Sequence, residues 1–312
     1  VYNISMSNRY HKIINKIKND EIIILDGGTG TELEKRGVVM DQSWCGTASN
    51  NTDILKQIHT DYINAGAQII TTNTYASNRV MLDVAGVGDK FEEINSKALK
   101  SAIDVRNQMN NDDLIIAGSL SHRMPIPDGH QQSDPAIKWD KNLMAETYDE
   151  MADFLTNNGC DFLLLEMLYH PDRVQLVFEA AKKTGKPIWA GFSSRKATNG
   201  KIYSQTTDTD IPLKEFVEII NSYEVDVVGI MHTSVDAISE SVEIIKDIYD
   251  GPVMAYPDSG GWVSPNWDFD KVIKPNELLI KAQQWINEGV RIVGGCCGLS
   301  PEHIEVYKGL KK

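Results

Sequence analysis

A (β/α)8 barrel of the TIM type is the fold class this sequence predicts, and three observations carry the prediction. Eight short apolar runs rich in β-branched residues recur along the chain, amphipathic helical patterns separate them, and no second-domain boundary interrupts the 312 residues. Strands that are apolar throughout suit a parallel sheet covered on both faces, and eight in succession suit a closed barrel better than a doubly wound open sheet, the runner-up.

The elements follow in order. Residues 1–20 read as an N-terminal extension or helix preceding one barrel domain that takes in residues 1–312. The strands are expected at 22–26, 68–72, 114–119, 162–166, 187–193, 225–230, 252–256 and 291–295. Helical spacing of apolar residues is present at 53–66, 91–108, 144–159, 173–185, 213–223, 237–249 and 276–289, and several of these segments stop at a glycine. The longer loops around 120–140, 194–211 and 257–275 all follow strands, so they belong to one face of the barrel.

Charge narrows the choice of partner. A formal net charge of −13 opposes non-specific binding to nucleic acid or to an anionic membrane surface, which leaves small-molecule substrates as the expected partners. No run of residues is long and apolar enough to span a bilayer, and the N-terminal segment lacks the apolar middle of a signal peptide, so a cytoplasmic protein is expected. Four cysteines do not make a disulfide framework. Oligomeric state is left open by the sequence.

Active sites of such barrels lie at the carboxyl ends of the strands. Asp26, Thr72 to Tyr75, Ser119, Glu166, Ser193, Ser194, His232, Tyr256 to Asp258, Cys296 and Cys297 stand there. Cys296 and Cys297 are adjacent and flanked by glycines. Buried cysteines can be plain small hydrophobes, and adjacent ones strain a disulfide, but this position favours soft-metal ligation with Zn2+ as the default ion. Catalytic zinc commonly has three protein ligands, and His232 is the best third.

These residues and their surroundings resemble the homocysteine S-methyltransferase family, zinc-dependent enzymes that include betaine-using and S-methylmethionine-using members. The resemblance runs over nearly the whole chain: LDGGTGTELEKRG at 25–37, IHTDYINAGAQIITTNTYAS at 58–77, GS at 118–119, LLLEM at 163–167, PIWAGFS at 187–193, YPDSG at 256–260 and GGCCG at 294–298. The family is built on a (β/α)8 barrel. One departure stands out: where the family carries its first zinc-binding cysteine in a Gly-x-Asn-Cys segment, this chain has Gly229-Ile-Met-His232. Imidazole also ligates zinc, but two thiolates and a neutral histidine leave less electron density on a bound sulfur than three thiolates do.

The resemblance implies a methyl group moved from an onium donor to the thiol of homocysteine, giving methionine. The donor is of the betaine, S-methylmethionine or dimethylsulfoniopropionate type. By the same resemblance Asp26 and Glu166 hold the amino group of homocysteine, while Ser193 and the Gly27-Gly28 turn receive its carboxylate. Trp44 and Tyr75 resemble the aromatics that line the donor side, where ring faces attract onium cations. Tyr169 and Trp262 are weaker additions. Cys160 reads as core and Cys45 as a remote alternative ligand. His59 and His303 read as structural, and His122, His130 and His170 as loop residues on the functional face. Two other functions stand beside this one: a divergent family member acting on another thiol or small onium metabolite, and a non-catalytic binder of onium or amino-acid metabolites.

Overall fold

The computed structural model describes residues 2–111, 113–126, 139–206 and 209–311, with side chains from residue 8 onward. His130 lies outside the described residues. In chain order the strands are β1 (Ile23–Ile24), β2 (Ile69–Thr71), β3 (Ile115–Ser121), β4 (Phe162–Leu168), β5 (Ile188–Phe192), β6 (Ser194–Lys196), β7 (Ile202–Ser204), β8 (Val227–Ser234), β9 (Val253–Asp258), β10 (Gly261–Val263), β11 (Asn266–Asp268) and β12 (Val290–Val293). The helices are α1 (Tyr2–Lys18), α2 (Thr29–Lys35), α3 (Thr52–Ala65), α4 (Arg79–Val84), α5 (Phe91–Gln108), α6 (Lys141–Asn158), α7 (Pro171–Thr184), α8 (Leu213–Val217), α9 (Ile238–Lys246), α10 (Pro275–Asn287) and α11 (Pro301–Glu305).

Eight of the strands are parallel neighbours in the order β1-β12-β9-β8-β5-β4-β3-β2. The two ends of that order meet through a parallel bridge from Leu25 to Ile69, with Gln68 N donating to Ile24 O at 2.8 Å and Asp26 N to Ile69 O at 3.0 Å. The sheet therefore closes, and the (β/α)8 expectation holds. All eight expected runs are barrel strands. The loops after β5 and β9 contain more than turns, because β6 pairs with β7 and β10 with β11 as antiparallel hairpins beyond the barrel. Three-residue strands carrying Lys196, Asn266 and Asp268 lack the apolar run that marks a strand in a sequence.

Burial explains why the runs are apolar at every position. On β4, Phe162 and Leu164 belong to the cluster inside the barrel, whereas Leu163 and Leu165 pack outward against the helices. Local capping sets the helix limits. Helix α3 ends at Gly66 with φ +112°, and α6 begins earlier than its apolar pattern because the Asp140 carboxylate accepts from Asn142 N and Leu143 N.

Helix α1 contributes Tyr10, Ile13 and Ile17 to the same cluster as Phe162 and Trp189, so it plugs the floor of the barrel. Tyr10 Oη donates to Asp226 at 2.5 Å and accepts from Trp189 Nε1 at 2.9 Å. Tyr10→Phe strands the fully buried Trp189 indole N–H beneath the barrel, while Asp226 is exposed and can turn to water. It is expected to cost ~1–3 kcal/mol, the penalty for leaving a buried polar group without its partner, and thermal unfolding measures it.

Candidate active site

The carboxyl ends of the strands surround a cleft of about 940 Å3, counted out to its open mouth. Its deepest polar feature is built by β8 and by the turn after β12. That turn is pinned by Cys296 N donating to Pro257 O at 2.7 Å and by Ser259 N donating to Cys297 O at 3.0 Å. The glycines around it are needed for close approach. A Cβ on Gly28 would stand 2.6 Å from Cys296 O, and at Gly298, where φ is +80°, a Cβ would fall 1.9 Å from Ser259 O.

His232 was expected two residues past a strand, but β8 continues to Ser234 with a register irregularity between Met231 and Ser234. At that irregularity His232 takes φ +44°. Trp44 (φ +57°) and Met167 (φ +54°), which also line the cleft, share this left-handed backbone. Strained conformations of this kind persist where the surroundings over-determine them and collect at functional sites.

The three candidate ligands converge. Cys296 Sγ lies 3.5 Å from His232 Nδ1 and 3.8 Å from Cys297 Sγ, and all three donor atoms fall within 4.8 Å of one another. Such a group could hold a metal ion. Asp258 Oδ2 stands 3.5 Å from His232 Nδ1. The hydrogen bond from Cys297 holds the Cys296 thiol well below its ordinary range, with burial opposing and the neighbouring His232 charge adding to the drop. Burial works against a charge on His232, but Asp258 and the Cys296 thiolate outweigh it and lift the imidazole to about 9. The pair thus favours negative charge on the sulfur and positive charge on the imidazole.

The two expected carboxylates are placed differently. Glu166 lines the cleft, accepts from Ser119 Oγ at 2.7 Å, and is pushed up to about 8, first by burial and then by the Cys296 thiolate. Asp26 is fully buried beneath the wall. Its carboxylate accepts from Thr71 N at 2.6 Å, Thr71 Oγ1 at 2.9 Å and Tyr256 Oη at 3.2 Å, and burial raises it to about 7 despite these bonds.

A carboxyl raised in the folded state binds its proton to higher pH than the unfolded chain does, so stability is lost as pH climbs from ~4 through 7, by up to ~4 kcal/mol at full strength. Asp26→Asn removes that dependence. Its amide oxygen can take Thr71 N while its NH2 faces the two hydroxyls. The variant's melting temperature relative to the native chain is expected to be higher at pH 8 than at pH 5.

Ser193 is buried outside the cleft lining, its Oγ without a partner. Gly28 N is already committed to Leu299 O at 3.1 Å. In contrast, Thr29 lines the cleft with an Oγ1 that has no partner. Trp44 and Tyr75 meet edge to face at 5.8 Å, and Trp262 and Tyr169 join them in the wall.

Cys45 is buried, its thiol pushed up to about 12 by that burial, and it stands outside the ligand group. Cys160 is fully buried in the core. His59 is buried in α3, His303 completes a capping box with Ser300, and the His122 ring accepts from Tyr169 N at 2.9 Å. His170 caps α7. Sequence reasoning passed over Arg123, Met167 and Trp267, all of which line the cleft, and left Asp258 without a role. Asp258 carried a signal, since YPDSG closes a strand. Arg123 carried none.

The family model described as homocysteine S-methyltransferase matches residues 23–309. The chain belongs to that family. It is accordingly an S-methyltransferase, as the motifs implied. Similar curated proteins include betaine–homocysteine S-methyltransferase 1 of Bos taurus, 24% identical over 94% of this chain and 72% of its own length. Another is homocysteine S-methyltransferase YbgG of Bacillus subtilis, 25% identical over 91% of this chain and 92% of its own. Among solved structures, the metallated form of the homocysteine methyltransferase MmuM from Escherichia coli is similar in fold. Its TM-score is 0.74 at 22% identity, covering 93% of this chain and 96% of that one. No helix among the described residues is long and apolar enough to cross a membrane.

Proposed function

We propose that this chain is a zinc-dependent enzyme that transfers a methyl group from an onium donor to the thiol of homocysteine, yielding methionine. The observation that carries the reading is the geometry of His232, Cys296 and Cys297. With zinc–sulfur bonds of ~2.3 Å and zinc–nitrogen bonds of ~2.0–2.1 Å, a tetrahedron sets two sulfurs ~3.8 Å apart and sulfur and nitrogen ~3.5 Å apart. Two of the three spacings here, Cys296 to Cys297 and Cys296 to His232, are 3.8 and 3.5 Å, and all three donor atoms lie within 4.8 Å of one another. Three protein ligands leave one position open for the substrate. Asp258 Oδ2 stands beside the same Nδ1 that faces Cys296, so it adds negative charge next to the ligand group rather than holding the ring through its other nitrogen.

Zinc, when bound, supplies the positive charge that keeps a substrate thiol ionised at neutral pH. The chain's own groups do the rest. Glu166 takes the acceptor's ammonium, and the Thr29 hydroxyl, next to Gly27 and Gly28, takes its carboxylate. Asp26 acts one step back by fixing Thr71 and Tyr256. Trp44, Tyr75 and Trp262 exclude water from the donor side. As the sulfur–methyl bond forms from the thiolate's electron pair, the donor's bond to that methyl breaks and its pair stays on nitrogen or sulfur. The donor's onium centre becomes neutral while any carboxylate it carries keeps its charge, so no proton has to move in the step.

Metal analysis of the purified protein, combined with methionine formation from homocysteine and a panel of onium donors, tests the reading. About one zinc per chain and methionine from at least one donor are expected. Zinc with no product from any donor would point to another thiol acceptor, and saturable donor binding without turnover would point to a binder.

A further inference from the structure

The donor side of the cleft already holds a cation. The Arg123 guanidinium lies 5.0 Å from the Trp262 ring centre, 5.5 Å from Trp44 and 5.6 Å from Tyr75. The side chain comes from the loop after β3, and its backbone is tied down on both sides. Arg123 N donates to Ser121 Oγ at 3.2 Å, and Arg123 O accepts from Asn78 Nδ2 at 2.8 Å. Arg123 is only 6% exposed, and among the described residues it forms no ion pair with a carboxylate.

Three donors at this place also lack an acceptor: Arg123 Nε, Trp44 Nε1 and Trp262 Nε1 are all buried without a hydrogen-bond partner. A buried charge without a counter-charge, joined by two unsatisfied indole N–H groups, is costly unless a ligand completes it. Water or a carbonyl could accept these hydrogen bonds, but an anionic group supplies the acceptors and the counter-charge together. A second bare cation pressed against the same rings would instead meet the guanidinium's repulsion.

We infer that Arg123 is an anion receptor on the donor side of the cleft. The carboxylate that the betaine, S-methylmethionine and dimethylsulfoniopropionate types share then meets the guanidinium and indole N–H groups, and it is Arg123 that makes the site reject carriers charged only at the onium centre. This inference rests on the methyl-transfer reading for its substrate and adds to it a specificity-determining residue. Aromatic rings alone would favour any onium. Arg123 makes the choice depend on the far end of the donor.

The test compares dimethylsulfoniopropionate with trimethylsulfonium, and glycine betaine with tetramethylammonium, in the native chain, Arg123→Met and Arg123→Lys. Each donor serves as its own reference, so differences in chemical reactivity cancel. Arg123→Met is expected to lose roughly 10- to 100-fold in kcat/KM with the carboxylate donors, the range for a hydrogen bond to a charged group, and to gain with the carboxylate-free ones. Arg123→Lys, which keeps the charge, should retain part of the preference. Equal losses with both kinds of donor, or no change with either, would overturn the inference.

Calorimetric titration with 3,3-dimethylbutanoate, an unreactive carboxylate with the shape of betaine, separates this failure from that of the methyl-transfer reading. If no donor turns over, binding of this probe to the native chain that disappears in Arg123→Met upholds the receptor and rejects the reaction. Binding that is equal in both, or absent from the native chain, rejects the receptor.

Discussion

Cys297→Ala is expected to leave the purified protein without zinc and to remove methyl transfer almost completely. Two ligands, Cys296 and His232, do not make a catalytic zinc site, and the alanine leaves the third corner facing the methyl-sized gap of a lost sulfur. Removing an outer-shell partner already costs ~10–100-fold in metal affinity or activity, and loss of a direct ligand should exceed that. Metal content by elemental analysis is the primary readout, because activity alone would also fall if the turn were distorted. Cys160→Ala is the control: that thiol is fully buried in the core, outside the ligand group, and the substitution should leave zinc content unchanged. Normal zinc content in Cys297→Ala would remove the basis of the proposed reaction. His232→Cys adds a third thiolate and is expected to bind zinc more tightly and to speed transfer to homocysteine.

The barrel was legible because its strands obey a strong local rule. A parallel strand buried on both faces needs apolar residues at every position, and Phe162 to Leu165 satisfy that demand without reference to the rest of the chain. The glycines around the paired cysteines were legible for a similar reason, since no other side chain fits against Cys296 O or Ser259 O. What escaped depends on the company a residue keeps. Arg123 is a basic residue in a loop, and only the arrival of Trp44, Tyr75 and Trp262 from three other segments makes it a buried cation. Ser193 and Asp26 stood at strand ends, as a wall residue should. Whether such a position faces the cleft or the layer beneath it turns on a register that the chain sets through long-range pairing. The small hairpins β6–β7 and β10–β11 were hidden because they extend the rim without contributing a core.

Glu166→Gln should raise the KM for homocysteine by roughly 10- to 100-fold, since a hydrogen bond to a charged group is worth ~1.5–3 kcal/mol. The amide is nearly the same shape and can still accept from Ser119 Oγ, so the wall of the cleft is preserved and kcat should change less than KM. Asp26→Asn should shift KM less, because that carboxylate is already taken up by Thr71 and Tyr256. The pH dependence separates direct contact from a structural effect. Burial and the Cys296 thiolate lift the Glu166 carboxyl to about 8, so at lower pH it is neutral and holds an ammonium weakly. A bound divalent cation would pull that value down. The KM for homocysteine is therefore expected to fall as pH rises from 6 toward 8, with its inflection at or below 8, and the fall should vanish in Glu166→Gln. Steady-state kinetics across that range, with the donor saturating, make the comparison. A native KM independent of pH, or a variant that keeps the same slope, would place the ammonium elsewhere in the cleft.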